Sequence, residues 1–361
     1  MIPVTKTCLP ELDDYVSQLS EIWKSGWLTN NGAYSKKLTS DLISYLNVSN
    51  LELIGNGTLA IQLAIQALDL TGEIITTPYS YVATTTAILW ENCDPVFVDI
   101  NRESMCIDPD LIEDAITEKT SAIIATHVYG LPCDVAKIEQ IARKYQLKVI
   151  YDAAHCFGVK YGGQSLLNYG DCSTISFHAT KLFHTVEGGA VVCADKHVAE
   201  RIFLSKKFGH VGEDDYFQIG INAKLSEFHA AMGVCMLPLI DSQIQRRKQI
   251  SQSYDHLLEG CEITRPVIPA DLEYNYSYYP VVFKSHTAMS NVRQALLDQD
   301  VMTRRYFYPS LNTLNYLRPE LKMPCPISEE IADRVLCIPL HAELQQTDLE
   351  KISHLILREI K

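Results

Sequence analysis

The chain has 361 residues, enough for two domains and for burying roughly three-quarters of its unfolded surface. Hydrophobic residues make up 47% and charged residues 21%, the balance of a soluble globular protein. A formal net charge of −13 argues against a nucleic-acid or anionic-membrane binder, since neither polyanion attracts a net-acidic surface; an anionic substrate needs a local cluster of donors.

The opening stretch, MIPVTKTCLPELDDY, has no apolar signal core, and no run approaches a membrane span, which predicts a cytoplasmic protein. Eleven cysteines are scattered without a C-x-x-C pair, which predicts reduced thiols and no metal site.

In chain order, short apolar or β-branched runs predict seven strands: 51–55, 73–77, 94–100, 121–130, 148–155, 173–177 and 189–194. Helix-like segments separate the early ones: TLAIQLAIQAL after Thr58, ATTTAILWEN, PDLIEDAI, and a helix after Asp134. Thr58 and Asp134 are read as N-caps. Such alternation predicts an α/β fold with a mostly parallel seven-stranded sheet covered on both faces. After Pro238 the texture changes: a long amphipathic helix over 239–260 stopped by Gly260, a strand within YNYSYYPVVF, then helices over 287–300 and 347–360. A boundary near 240 gives a large α/β domain, 1–240, and a smaller α+β domain, 241–361.

Three weak signals share one predicted sheet edge. In IGNGTLAIQLAI a strand meets a helix through a glycine turn, and a helix N-terminus is a natural phosphate seat, although neither nucleotide-binding glycine motif is matched. In VIYDAAHCFG, Asp152 ends a hydrophobic strand, where a buried carboxylate needs a cation or donors; the plain alternative is a cap for the next loop. In SFHATKLFHTVEGGA, Lys181 is walled by Phe177, Leu182, Phe183, Gly188 and Gly189, and a desolvated lysine is a usable nucleophile for a carbonyl. Pyridoxal phosphate wants all three: a helix N-terminus for its phosphate, a carboxylate for its ring nitrogen and a lysine for its aldehyde. TPYSYVATT adds an aromatic able to stack on the ring.

These segments, with SGWLTNNG, THVYGLPCD, GINAKLSEFHAAMG, RRYFYPS and CIPLHAEL, run nearly end to end in the order of one family. The chain resembles the sugar-nucleotide aminotransferases of the DegT/DnrJ/StrS group, which have the fold-type I architecture of aspartate aminotransferase. The resemblance implies that Lys181 holds the cofactor through its amine and later carries the proton, while Asp152 pairs with the ring nitrogen. It implies Gly57, Thr58 and Ser176 as phosphate ligands, Tyr81 as the ring-face aromatic, and His155 near the cofactor's phenolic oxygen. Asn222 corresponds to an asparagine that reaches the neighbouring subunit's site, which implies a homodimer with shared active sites. Trp27 and Thr29 border the sugar pocket in relatives, Tyr308 matches a tyrosine near the substrate, and Arg304 or Arg305 would meet a pyrophosphate or the donor carboxylate; the plain alternative for the arginines is a solvated helix end.

Three departures stand out: His155 where glutamine is usual, N-G-T in the phosphate turn where S-G-T is common, and Asn222-Ala223-Lys224-Leu225 for the typical N-Y-R-M. A deoxygenating branch replaces the lysine itself with histidine; Lys181 is kept here, so transamination is favoured and His178 is read as structural. The implied reaction takes L-glutamate as donor and dTDP-4-keto-6-deoxyglucose as acceptor, giving the 4-amino sugar of O-antigen synthesis. A 3-keto or UDP-linked sugar, a keto-inositol, and a non-catalytic regulatory protein are the alternatives.

Overall fold

The computed structural model describes residues 1–360. Two helices that the strand pattern does not announce come first, α1 Leu12–Ser25 and α2 Ala33–Leu46. β1 Asn50–Ile54 then passes through Gly55 into α3 Gly57–Ala67. The cap of α3 is Asn56, whose Oδ1 accepts the Leu59 amide at 2.9 Å. This corrects the expected Thr58 cap: Asn56 has the extended backbone of a cap, and Thr58 stands inside the first turn.

β2 Glu73–Thr76, α4 Val82–Trp90 and β3 Asp94–Phe97 follow. The predicted helix over 109–116 is two 3-10 turns, Pro109–Leu111 and Glu113–Ala115, because eight residues are too few to repay helix nucleation even with Ile112 buried. β4 Thr120–Thr126 leads to α5 Val135–Tyr145, capped by Asp134 as the sequence predicts, and then to β5 Lys148–Asp152. A hairpin, β6 Lys160–Tyr161 with β7 Gln164–Ser165, precedes β8 Cys172–Ser176 and β9 Gly189–Cys193.

The main sheet has seven strands in the order β1-β9-β8-β5-β4-β2-β3. β2, β3, β4, β5 and β8 pair in parallel, and β9 alone runs against its neighbours β8 and β1. The segment 177–188 between β8 and β9 is too short for a helical crossover, so the chain returns antiparallel. Strand residues alternate between two buried cores: Ile123 and Ala125 face one, Ala122 and Ile124 the other.

α6 Lys196–Ser205, α7 Glu227–Met236 and α8 Ile240–Leu257 follow. α8 ends three residues before Gly260, which turns at φ +76. A second sheet, β10 Ile263–Thr264, β11 Tyr279–Phe283 and β12 Val335–Ile338, is antiparallel throughout. α9 His286–Leu297 and α11 Gln346–Glu359 cover it, with Val281, Phe283, Leu296, Ile352 and Ile356 in a third core; α10 Pro326–Arg334 precedes β12. The strand expected within 274–283 occupies only its second half, and its first half goes elsewhere, as the site shows.

Candidate active site

Because β1, β4, β5 and β8 point the same way, their C-terminal ends meet at one edge of the sheet. Asp152 is the last residue of β5 and is buried. Its Oδ2 accepts the Thr84 hydroxyl at 2.7 Å and its Oδ1 accepts the Ala154 amide at 3.1 Å. Burial raises its carboxyl above the usual range, and those two donors, with the Lys181 cation, pull it back.

Lys181 lies in the 177–188 return, in a turn closed by its amide donating to the His178 carbonyl at 2.8 Å. Phe177 and Phe183 beneath it are fully buried and pack edge to face at 5.0 Å, and Phe183 stacks on Phe157 at 4.3 Å. Lys181 is half-buried above this aromatic floor. Its amine lines a small cavity with Ala154, His155, Ser176, Ser277 and Tyr278. Burial depresses its pKa from 10.5 to about 8, against the opposing pull of Asp152 and Cys156.

His155 is buried and stacks on Phe307, with ring centroids 5.7 Å apart and planes 1° apart. Its Nδ1 accepts the Tyr129 amide at 3.2 Å. Burial and the Lys181 charge hold the imidazole neutral, well below its ordinary pKa, so its one proton sits on Nε2. The ring is therefore an N–H donor beside Lys181. Asn275 and Ser277 both donate to the His155 carbonyl, at 2.8 and 2.9 Å, which is where the first half of the expected YNYSYYPVVF strand goes.

Ser176 ends β8 against the first turn of α3. A Cβ on Gly57 would stand 3.0 Å from the Ser176 Cβ, so glycine admits this approach. Gly57 and Thr58 occupy the first two positions of α3, where amides have no intrahelical acceptor. Two free amides and a hydroxyl thus share one corner, an anion seat. Gly188 and Gly189, which the sequence places in the wall around Lys181, stand where the chain meets itself at close range. A Cβ on Gly189 would sit 2.7 Å from the Ile175 carbonyl oxygen and 2.8 Å from the Asn56 carbonyl carbon, and one on Gly188 only 2.1 Å from Thr185 Oγ1. Gly189 therefore presses β9 against the turn that holds the seat.

Tyr81 caps α4 and is 60% exposed, free to cover a bound ring. Tyr308 is exposed, and its ring carries the Arg305 guanidinium at 3.4 Å. Arg305 also donates to the Ala332 and Asp333 carbonyls, so it packs the C-terminal region, whereas Arg304 is exposed. The arginines do not end a helix: the Arg304 backbone pairs with Cys337. His178 is exposed at the rim, its Nδ1 2.8 Å from Thr180 Oγ1. Asn222 is exposed, 2.6 Å from Lys224 Nζ.

Trp27 and Thr29 are exposed and do not join this group. Trp27 lines a separate cleft of about 1000 Å³ with Lys36, Lys206, Lys207 and Lys224. The sequence gives little warning of what holds that loop: the buried Glu227 carboxylate accepts the Tyr34 and Ser35 amides, at 2.7 and 3.1 Å, and the Ser35 hydroxyl. Sequence reasoning also passes over Tyr278, Asn275, Ser277 and Thr84. Of these only Thr84 has a local signal, its one-turn spacing from Ser80 within TPYSYVATT.

Among the described residues no group of three or more His, Cys, Asp or Glu is placed to hold a metal, and no helix is long and apolar enough to cross a membrane. The amine of Lys181, the Asp152 carboxylate and the anion seat fit the three demands of pyridoxal phosphate.

Residues 11–357 match the model of the DegT/DnrJ/EryC1/StrS aminotransferase family. The chain is 43% identical to a dTDP-4-amino-4,6-dideoxy-D-glucose transaminase of Shigella dysenteriae, over 99% of this chain and 98% of that one. It is 40% identical to the Escherichia coli protein of the same name, with the same coverage. The crystal structure of DesI with its TDP-sugar product superposes with a TM-score of 0.95 at 29% identity, covering 100% of this chain and 93% of that one.

Proposed function

The chain belongs to the DegT/DnrJ/EryC1/StrS aminotransferase family, and from that premise we propose that it moves an amino group from L-glutamate to dTDP-4-keto-6-deoxy-D-glucose with pyridoxal 5′-phosphate as cofactor. The product is then dTDP-4-amino-4,6-dideoxy-D-glucose, made in the cytoplasm for O-antigen assembly. The observation that carries this reading is the convergence of Lys181 and Asp152 at one sheet edge beside the free amides of Gly57 and Thr58.

Each residue has a role its geometry permits. Bound pyridoxal phosphate supplies an electrophilic carbon and a ring that delocalises the electron pair left when a C–H bond breaks. Gly57, Thr58 and Ser176 hold the phosphate, and Tyr81 covers one ring face. Asp152 holds a proton on the ring nitrogen through charge attraction. The Nε2–H of His155 donates to the phenolic oxygen, the role of the family's usual glutamine. Lys181, with a pKa near 8, both accepts and returns a proton at Nζ near neutral pH. His178 stays structural.

Substrate contacts extend the proposal. Asn222, with Lys224, reaches the site of a second copy in a homodimer; Tyr308 and Arg304 border the nucleotide-sugar, and Trp27 and Thr29, which stand apart from Lys181 within one copy, border it from the second copy. The Trp27 cleft carries Lys36, Lys206, Lys207 and Lys224 against Glu52 and Glu213, and Lys206 is paired with Glu52, so a chain of net charge −13 keeps a local excess of positive charge there for a dianionic sugar nucleotide. The second sheet and α8 to α11 form the smaller domain after residue 240, which closes the site through Asn275, Ser277 and Tyr278.

The test is the visible spectrum of the purified protein with pyridoxal phosphate. L-glutamate should bleach the yellow band, and dTDP-4-keto-6-deoxyglucose should restore it. Bleaching without recovery would exclude that sugar, and no band at all would overturn the cofactor assignment.

A further inference from the structure

The carboxylate of Asp152 is the end of a chain of hydroxyls that crosses three elements. Thr126 Oγ1 lies 3.0 Å from Ser80 Oγ, Ser80 Oγ lies 2.8 Å from Thr84 Oγ1, and Thr84 Oγ1 lies 2.7 Å from Asp152 Oδ2. All four residues are buried, with exposures of 3%, 2%, 0% and 5% in that order. Thr126 and Asp152 are register partners at the ends of β4 and β5. Ser80 precedes α4, and Thr84 stands one turn further along it.

The hydrogen-bond direction has one solution. An ionised carboxylate only accepts, so Thr84 must give it the hydroxyl proton. Thr84 then accepts from Ser80, and Ser80 accepts from Thr126. Every hydroxyl dipole points its positive end toward Asp152, and donors aligned in series strengthen one another in a low-dielectric interior. Nothing in the transfer of an amino group requires three buried hydroxyls; a buried carboxylate that must stay charged does. Ser80 and Thr84 also flank Tyr81, so the chain ties the aromatic of the site to its carboxylate.

We propose that Thr126, Ser80 and Thr84 form a one-way hydroxyl relay of positioning residues, which keeps Asp152 ionised and aimed at the cofactor's ring nitrogen; this rests on the cofactor assignment above. The effect should fade with distance from the carboxylate.

Two measurements on the full-length protein test it. The first is the dissociation constant of pyridoxal phosphate, titrated by fluorescence into apoprotein whose melting curve shows it folded. Thr84→Val should weaken binding about tenfold, Ser80→Ala about threefold and Thr126→Val less than twofold, while Thr84→Ser should stay within about twofold of the parent. The second uses apoprotein alone: the pH at which the Lys181 amine becomes reactive to an acylating label. Lys181 faces Asp152, Cys156 and His155, and only Asp152 touches the relay. Weakening the Asp152 charge should move the Lys181 inflection down in Thr84→Val and restore it in Thr84→Ser. Equal binding by folded Thr84→Val, an unmoved inflection, or a Thr126→Val loss as large as that of Thr84→Val overturns the relay. A parent protein that binds no pyridoxal phosphate yet shows the shifted Lys181 inflection would overturn the cofactor reading and keep the relay.

Discussion

Replacing Asp152 with asparagine removes one charge and almost no volume, and the outcome should be legible at Lys181. Burial depresses the Lys181 amine to about 8, and the Asp152 carboxylate is the largest influence holding it from falling further. At pH 7 about one amine in eleven is then neutral, against about one in 2500 for a solvated lysine of pKa about 10.4, a gain of roughly 230-fold in nucleophile. Without Asp152 only the weaker influence of Cys156 opposes burial, so the pKa falls below 8 and the neutral fraction at pH 7 rises. The assay is pulse labelling of apoprotein with an amine-reactive ester between pH 6 and 10.5, with the Lys181 peptide quantified by mass spectrometry. Wild type should inflect near 8 and Asp152→Asn lower still. An inflection near that of free lysine in wild type, or an upward move in the variant, would refute the argument that seclusion and a single carboxylate set this amine.

Other consequences are as open to measurement. Gly189→Ala drives a methyl into the Ile175 and Asn56 backbone at 2.7 and 2.8 Å; it should cost about 1–3 kcal/mol in urea unfolding and weaken cofactor binding by shifting the anion seat. Glu227→Gln exchanges a charged acceptor of the Tyr34 and Ser35 amides for a neutral one, with an expected loss of about 1–3 kcal/mol and faster proteolysis within 27–32. His155→Gln should keep activity because the carboxamide still donates, whereas His155→Leu should lose it, and kcat/KM should show no His155 inflection near pH 6.5. His127 and His341 are held neutral by burial, to about 3 and about 4, and His155 well below its ordinary value. Unfolded histidines take up protons near pH 6.5. The stability these three contribute is therefore present above that pH and is lost as pH falls toward their folded values. Calorimetric unfolding at pH 5 should consume close to three more protons from these groups than at pH 8, and His127→Phe should remove one of them.

The local parts of this protein are legible in the order of its residues. Strands appear as apolar runs because a sheet covered on both faces buries most side chains of its strands, and all seven predicted runs became strands of one sheet. Asp134 could be read as a cap because capping is decided within three residues. Lys181, Asp152 and the glycine turn could be placed at one edge because a parallel sheet puts the ends of its strands together. The Thr58 error has the same local origin: two polar residues on either side of Gly57 both suit a cap, and only backbone geometry chose Asn56.

Tertiary structure decided whatever depends on residues distant in the chain. Thr84 donates to a carboxylate 68 positions later, and Asn275 to a carbonyl 120 positions earlier. The protonated nitrogen of His155 is set by the Tyr129 amide, which no spacing rule connects to it. Gly188 and Gly189 look in sequence like one wall, yet the fold needs them for different contacts, Gly189 against the Ile175 and Asn56 backbone and Gly188 against the Thr185 side chain. Arg304 and Arg305 are neighbours with opposite fates, one exposed and one spent on the Ala332 and Asp333 carbonyls. A side chain's type limits the chemistry it can do, but its protonation and aim are set by the groups that surround it, and those are chosen only when the chain closes on itself.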